Sequence, residues 1–135
     1  MRFLHTSDLH IGKRLYEYSL IEDQEYILKQ IRDIAINENV DAVLLSGDIY
    51  DRSMPSGEAV LLLSDFLTDL SRAKIPVYAV SGNHDSAERL SFASELMKPA
   101  GIFLESLCGG TLPSVTHADE FGLVHIYLLD RKSVV

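Results

Sequence analysis

Apolar positions along this chain follow two rhythms, short continuous runs and longer stretches with three- and four-residue spacing. Arg2 to His5 is a short apolar run that ends in Thr6-Ser7-Asp8, which predicts a strand entering a loop. Leu20, Ile21, Gln24, Ile27, Leu28, Ile31, Ile34 and Ala35 then recur at helical spacing. They predict a helix over roughly 18–38, closed by Asn37-Glu38-Asn39. Ala42 to Leu45 is unbroken by polar residues, as expected of a strand buried on both faces. Pro55 is read as the opening of the next helix, whose apolar stripe is Ala59, Leu62, Leu63, Phe66, Leu67 and Leu70. Ile75 to Val80 reads as a third strand, and Ser86 to Met97 as a third helix stopped by Lys98-Pro99. Beyond Gly101 the pattern weakens. Ile102-Phe103-Leu104 predicts a fourth strand, Gly109-Gly110 a turn, and Val124 to Leu129 a fifth apolar run.

Strand and helix alternate three times. This predicts an α/β fold with a mainly parallel sheet flanked by helices. Right-handed crossovers place successive strands side by side, and ligands of such sheets bind outside the carboxyl ends of the strands. The loops at those ends are Asp8-Leu9-His10, Gly47-Asp48-Ile49-Tyr50-Asp51 and Gly82-Asn83-His84-Asp85. On one sheet edge they would bring together carboxylates (Asp8, Asp48), imidazoles (His10, His84) and an amide oxygen (Asn83). Mixed oxygen and nitrogen donors suit manganese, iron or zinc better than calcium or magnesium. Each loop taken singly is an ordinary turn or helix cap; three in register at strand ends point to a metal site.

Composition narrows the function. Of 135 residues, 47% are apolar and 24% charged, the balance of one folded domain rather than of a disordered chain. The formal charge of −8 argues against nucleic-acid binding through bulk basicity. It is compatible with an acidic scaffold that holds cations. A single cysteine, Cys108, excludes an internal disulfide and reads as a small buried hydrophobe in a reducing compartment. No apolar run has the length of a membrane span, and the N-terminus lacks a leader pattern, so a cytoplasmic location with no membrane contact is expected. His5 is expected to be a packing histidine. Tyr16, Tyr18 and Tyr26 are either stacking groups for a base or sugar or, more simply, packing residues. His117 and His125 are weak metal-ligand candidates.

The three motifs, in this order, resemble the calcineurin-like metallophosphoesterase superfamily. The flanks narrow the resemblance. His5-Thr6-Ser7-Asp8-Leu9-His10-Ile11-Gly12, Gly47-Asp48-Ile49-Tyr50-Asp51-Arg52-Ser53 followed by Pro55, and Gly82-Asn83-His84-Asp85-Ser86 with Glu88-Arg89-Leu90 are similar to the SbcD family of DNA exonuclease subunits. The likeness runs from residue 1 to about residue 129; the tail 130–135 does not share it. Ser53 and Asp85 stand where related protein phosphatases carry glycine and glutamate, which favours the nuclease branch.

The resemblance implies metal-dependent phosphodiester hydrolysis of DNA by two divalent ions, with manganese favoured and magnesium, iron or zinc as alternatives. Carried over, Asp8 and His10 bind the first ion, Asp48 bridges, and Asn83 binds the second. His84 faces the substrate, and Asp85 orients or charge-tunes a histidine. Asp51 plays a similar supporting role or simply caps its loop. Arg52, Lys13 and Arg14 are candidate phosphate contacts or else solvated loop charges. The family's partners are an SbcC-like coiled-coil ATPase and double-stranded DNA ends and hairpins.

Three further histidines of the family pattern, two in Gly-His-x-His, do not occur here. Residues 1–135 are therefore expected to be the N-terminal part of a phosphoesterase domain, the first half of its α/β sandwich. The second ion is then expected to bind weakly or not at all, and the fragment alone to be nearly inactive. A sheet face left bare would drive self-association. The rival readings are a phosphatase or small-molecule phosphodiesterase of the same superfamily, or a non-catalytic scaffold.

Overall fold

The computed structural model describes residues 1–86, 89, 94–105 and 113–129. Cys108, the Gly109-Gly110 turn and the tail 130–135 lie outside them, as does most of the stretch 87–93. The strands β1 (Phe3–Thr6), β4 (Ala42–Ser46), β5 (Val77–Val80) and β6 (Ile102–Glu105) form one parallel sheet in the order β1-β4-β5-β6. Within this sheet each strand lies beside the one that precedes it there in sequence, the usual arrangement for short connections. Helices α1 (Ile21–Asn37) and α2 (Gly57–Arg72) cover one face. Leu28 and Ala35 of α1 and Leu63, Phe66, Leu67 and Leu70 of α2 meet Val43, Leu45, Val77, Ala79, Ile102 and Leu104 in the larger core.

Several element boundaries differ from the sequence expectation. Helix α1 starts at Ile21 because residues 14–19 form a small antiparallel hairpin, β2 (Arg14–Leu15) and β3 (Tyr18–Ser19). Pro55 is not the first helical residue. Ser56 caps α2, its hydroxyl accepting from Ala59 N–H at 3.3 Å. Strand β5 starts at Val77, after Ile75 and Pro76. Of the expected third helix, Arg89 and Ser94–Met97 are helical.

The fifth apolar run is not part of the parallel sheet. It belongs to an antiparallel hairpin, β7 (Ser114–Asp119) with β8 (Gly122–Tyr127). Val115, Ile126 and Leu128 pack on Ala42, Leu44, Tyr78, Val80 and Phe103, so the hairpin covers the sheet face opposite the helices. Tyr78 Oη and His117 Nε2, 2.6 Å apart, tie hairpin to sheet, and burial pushes the Tyr78 phenol pKa up. His125 pairs with Thr116 at 2.9 Å. His117 is thus paired with the sheet and His125 with its own hairpin, and neither joins the carboxylate and imidazole donors at the strand ends. The bare face behind the expected self-association is thus largely covered. What the hairpin turns outward is a row of exposed apolar residues, Phe121, Leu123, Tyr127 and Leu129. No helix among the described residues is long and apolar enough to cross a membrane.

Candidate metal centre

The three motif loops leave the carboxyl ends of β1, β4 and β5, and the first two stay paired beyond the strands. Asp8 N–H donates to Gly47 O (3.1 Å), His10 N–H to Asp48 O (2.9 Å) and Ile11 N–H to Ile49 O (2.9 Å). An isolated parallel bridge joins Ile11 to Tyr50. This pairing holds Asp8, His10 and Asp48 in one place. One donor atom from each lies within 4.8 Å of the others, the only such group of three among the described residues.

All three backbones are left-handed, with φ of +55° at Asp8, +43° at His10 and +47° at Asp48. Non-glycine residues adopt this region at a cost of roughly 1–3 kcal/mol each. Three such costs at one spot persist because the surrounding bonds over-determine the loops. Gly47, at φ +81°, and Gly82 let those loops touch. A Cβ on Gly82 would lie 2.2 Å from both Asp48 N and Asp48 Oδ1.

Asp85 supplies the cross-link. It is 3% exposed. Its carboxylate accepts from Ile49 N–H (3.0 Å), Tyr50 N–H (2.9 Å) and Gly82 N–H (2.9 Å). These contacts fasten the β4 loop to the β5 loop and involve no imidazole. Burial, with a smaller contribution from the Asp85 charge, pushes the Tyr50 phenol up to about 12.

His84 donates its backbone N–H to Asp48 Oδ1 (2.9 Å), aligning that carboxylate. Its Nδ1 lies 3.1 Å from Asp51 O. A carbonyl only accepts, so Nδ1 carries the proton and Nε2 is the nitrogen available to a substrate. The His84 and His10 rings meet edge to face, their centroids 5.0 Å apart. His10 Nε2 lies 3.9 Å from Asp8 Oδ1, and His10 Nδ1 3.5 Å from Asp51 Oδ1. That Nδ1 is buried and makes no hydrogen bond. Asn83 is exposed in the turn between Gly82 and His84.

The candidate phosphate contacts are more peripheral. Lys13 is exposed, Arg14 donates to Glu17 O (2.6 Å), and Arg52 reaches no closer than 4.0 Å to Asp51 Oδ2. His5 is not packed in the core as expected. It is exposed and pairs with Ser46 Oγ at 2.8 Å, because alternation along β1 turns it away from the helices.

Gln24 was legible only as a polar residue within an apolar helical stripe. Its amide accepts from Gly12 N–H (2.9 Å) and donates to His10 O (2.7 Å) and Leu9 O (3.1 Å). It ties α1 to the loop that carries His10. Gln24→Ala is expected to weaken manganese affinity about tenfold or more, the usual scale for groups that orient ligands. Titration followed by the manganese electron paramagnetic resonance signal would check this; unchanged affinity would show that the loop holds its shape without Gln24.

The donor set fits a divalent cation. Two carboxylates and one imidazole converge, and His10, with Nδ1 directed at Asp51, can offer Nε2 to an ion.

A family model described as calcineurin-like phosphoesterase matches residues 1–132. The chain belongs to the calcineurin-like phosphoesterase family. It is also 39% identical, over 107 residues, to the SbcD component of the nuclease SbcCD from Staphylococcus epidermidis. The match covers 78% of this chain and 29% of that relative, so the chain spans about three-tenths of the relative's length. Members of this family are metal-dependent phosphoester hydrolases, and Asp8, His10 and Asp48 form a group in this chain that could hold an ion.

Proposed function

We propose that this chain carries the N-terminal part of a DNA phosphodiesterase centre of the SbcD type, acting with an SbcC-like ATPase on double-stranded ends and hairpins. The observation that carries the reading is the convergence of Asp8, His10 and Asp48 from two loops, with His84 held against Asp48. The 39% identity to a nuclease component supports a diester over a monoester. A divalent ion there, manganese first among candidates, would offset phosphate charge and make hydroxide available near neutral pH. Asp8, His10 and Asp48 would hold the first ion, and Asp48 with Asn83 would supply donors for a second. His84, its Nδ1 proton committed to Asp51 O, presents Nε2, which in the doubly protonated imidazolium would give its own proton to the leaving oxygen or donate a hydrogen bond to charge building on phosphorus. Asp85 acts by holding the two loops together. Arg52 and Arg14 border the approach and steer phosphate; Lys13 lies beside them. Among the described residues the first ion would have three donors and the second two, so residues 1–135 alone are expected to bind the second weakly and to hydrolyse little.

The test has two parts. Manganese titration of this chain is expected to show one saturable site that Asp48→Asn abolishes. The full-length protein carrying these residues is expected to cleave a DNA hairpin far faster than an aryl phosphate monoester. A preference for the monoester would favour a phosphatase, and no manganese site would sink the metal-centre reading.

A further inference from the structure

The β2–β3 hairpin projects from the metal loop, and its apolar side chains face solvent. Tyr16 at its turn is 99% exposed, Tyr18 67% and Leu15 53%. Tyr16 is also held in the left-handed region, at φ +55°. A fully solvated ring on strained backbone contributes nothing to the core, so folding alone does not account for it. The hairpin is nonetheless firmly based. Arg14 Nη2 bonds to Glu17 O across the turn, and Leu20 N–H donates to Lys13 O (3.1 Å). Lys13 N–H in turn donates to His10 O (3.1 Å). The turn is thus tied through one short bonded relay to a residue of the candidate metal group.

Between this hairpin and the start of α2 lies a cleft of about 210 Å³, lined by Gly12, Arg14, Ser19, Asp51, Arg52 and Glu58. Asp51, which faces His10, and the hairpin's Arg14 and Ser19 share its walls, which carry two guanidiniums and two carboxylates. Those opposed charges, in a chain of net charge −8, give a strand little general attraction. Affinity for the strand must then come from cations in the site and from contacts that do not depend on charge. Base stacking on an aromatic ring is such a contact, and it tolerates any sequence.

The geometry points to Tyr16, with Tyr18 beside it, as a stacking platform for an unpaired nucleobase of the strand whose phosphate enters the metal centre. This rests on the DNA phosphodiesterase reading above. It adds that the substrate must present a single-stranded or frayed base next to the scissile phosphate, and it assigns Arg14 to that strand's backbone.

The chain contains no tryptophan, so Tyr16→Trp introduces a unique reporter. The probe is an oligothymidylate of about twelve nucleotides, titrated with manganese present. Tyr16→Trp emission is expected to be quenched as the oligonucleotide binds. By anisotropy of labelled oligonucleotide, Tyr16→Ala is expected to bind about tenfold more weakly and Tyr16→Phe like the parent. Tyr16→Ala should leave the salt dependence unchanged, whereas Arg14→Ala should reduce its slope by about 0.7. If the parent binds and Tyr16→Trp emission does not change, or Tyr16→Ala binds as tightly, the platform is wrong while the DNA reading survives. If the parent shows no metal-dependent binding, the DNA reading fails and takes the platform with it.

Discussion

Asp85→Ala is expected to remove on the order of 3–5 kcal/mol of stability, the largest loss from any single substitution near the site. Its carboxylate is the common acceptor for Ile49, Tyr50 and Gly82 N–H, in a place that water hardly reaches. Alanine leaves three amide donors without a partner, each costing about 1–3 kcal/mol if it stays dry. Two donors share Oδ2 and one uses Oδ1. Asparagine with its oxygen at the shared position therefore keeps two bonds and opposes its NH2 to the third, and should cost less than alanine. Urea denaturation of the three proteins would show midpoints falling in the order Asp, Asn, Ala at similar slope. A midpoint for Asp85→Ala equal to the parent's would mean that the loops stay joined without this carboxylate.

The role of Asp85 shows where sequence reading stopped. That Asp8, His10 and Asp48 would meet followed from strand order, because consecutive parallel strands bring their end loops to one edge. The loop spacing alone could not say which carboxylates face an ion and which face amides. Asp85 resembles Asp48 in the sequence, each beside a strand-end loop. It differs only because burial and three N–H groups close around it. Helix α2 and strand β4 were clear since their apolar spacing is driven by a core with one solution. The β2–β3 hairpin was not, since Arg14, Leu15, Tyr16 and Tyr18 are exposed and carry no burial pattern to read. Strand β7 was missed for a related reason. It alternates exposed and half-buried residues over Ser114–Asp119, and its inward positions include the polar His117 and Asp119. Those two are held through long-range partners, Tyr78 and the amino group of Met1, that no local window contains.

Gly82→Ala is expected to weaken manganese binding about a hundredfold, while the helical core remains folded. The physical reason is contact rather than backbone freedom. The added Cβ would sit 2.2 Å from Asp48 N and Oδ1 and 2.7 Å from Cγ, so the carboxylate shared with His84 N–H has to move. Asp48 cannot retreat easily. Its carbonyl accepts from His10 N–H, and Gly47 before it lies so close to Gly82 that even a Cβ built there would come within 3.0 Å of Gly82 Cα. Displacing Asp48 therefore disturbs the His10 loop as well, and two of the three donors lose their positions together. Helices α1 and α2 pack on the sheet away from this contact, so far-ultraviolet circular dichroism should change little. Gly57→Ala is the matched control, since a Cβ there meets nothing within 4 Å and lies in the first turn of α2. It should bind manganese like the parent and be equal or slightly more stable. Parental manganese affinity in Gly82→Ala would show that the Asp48 carboxylate is not held where the ion needs it, and the single-site geometry proposed for Asp8, His10 and Asp48 would have to be abandoned.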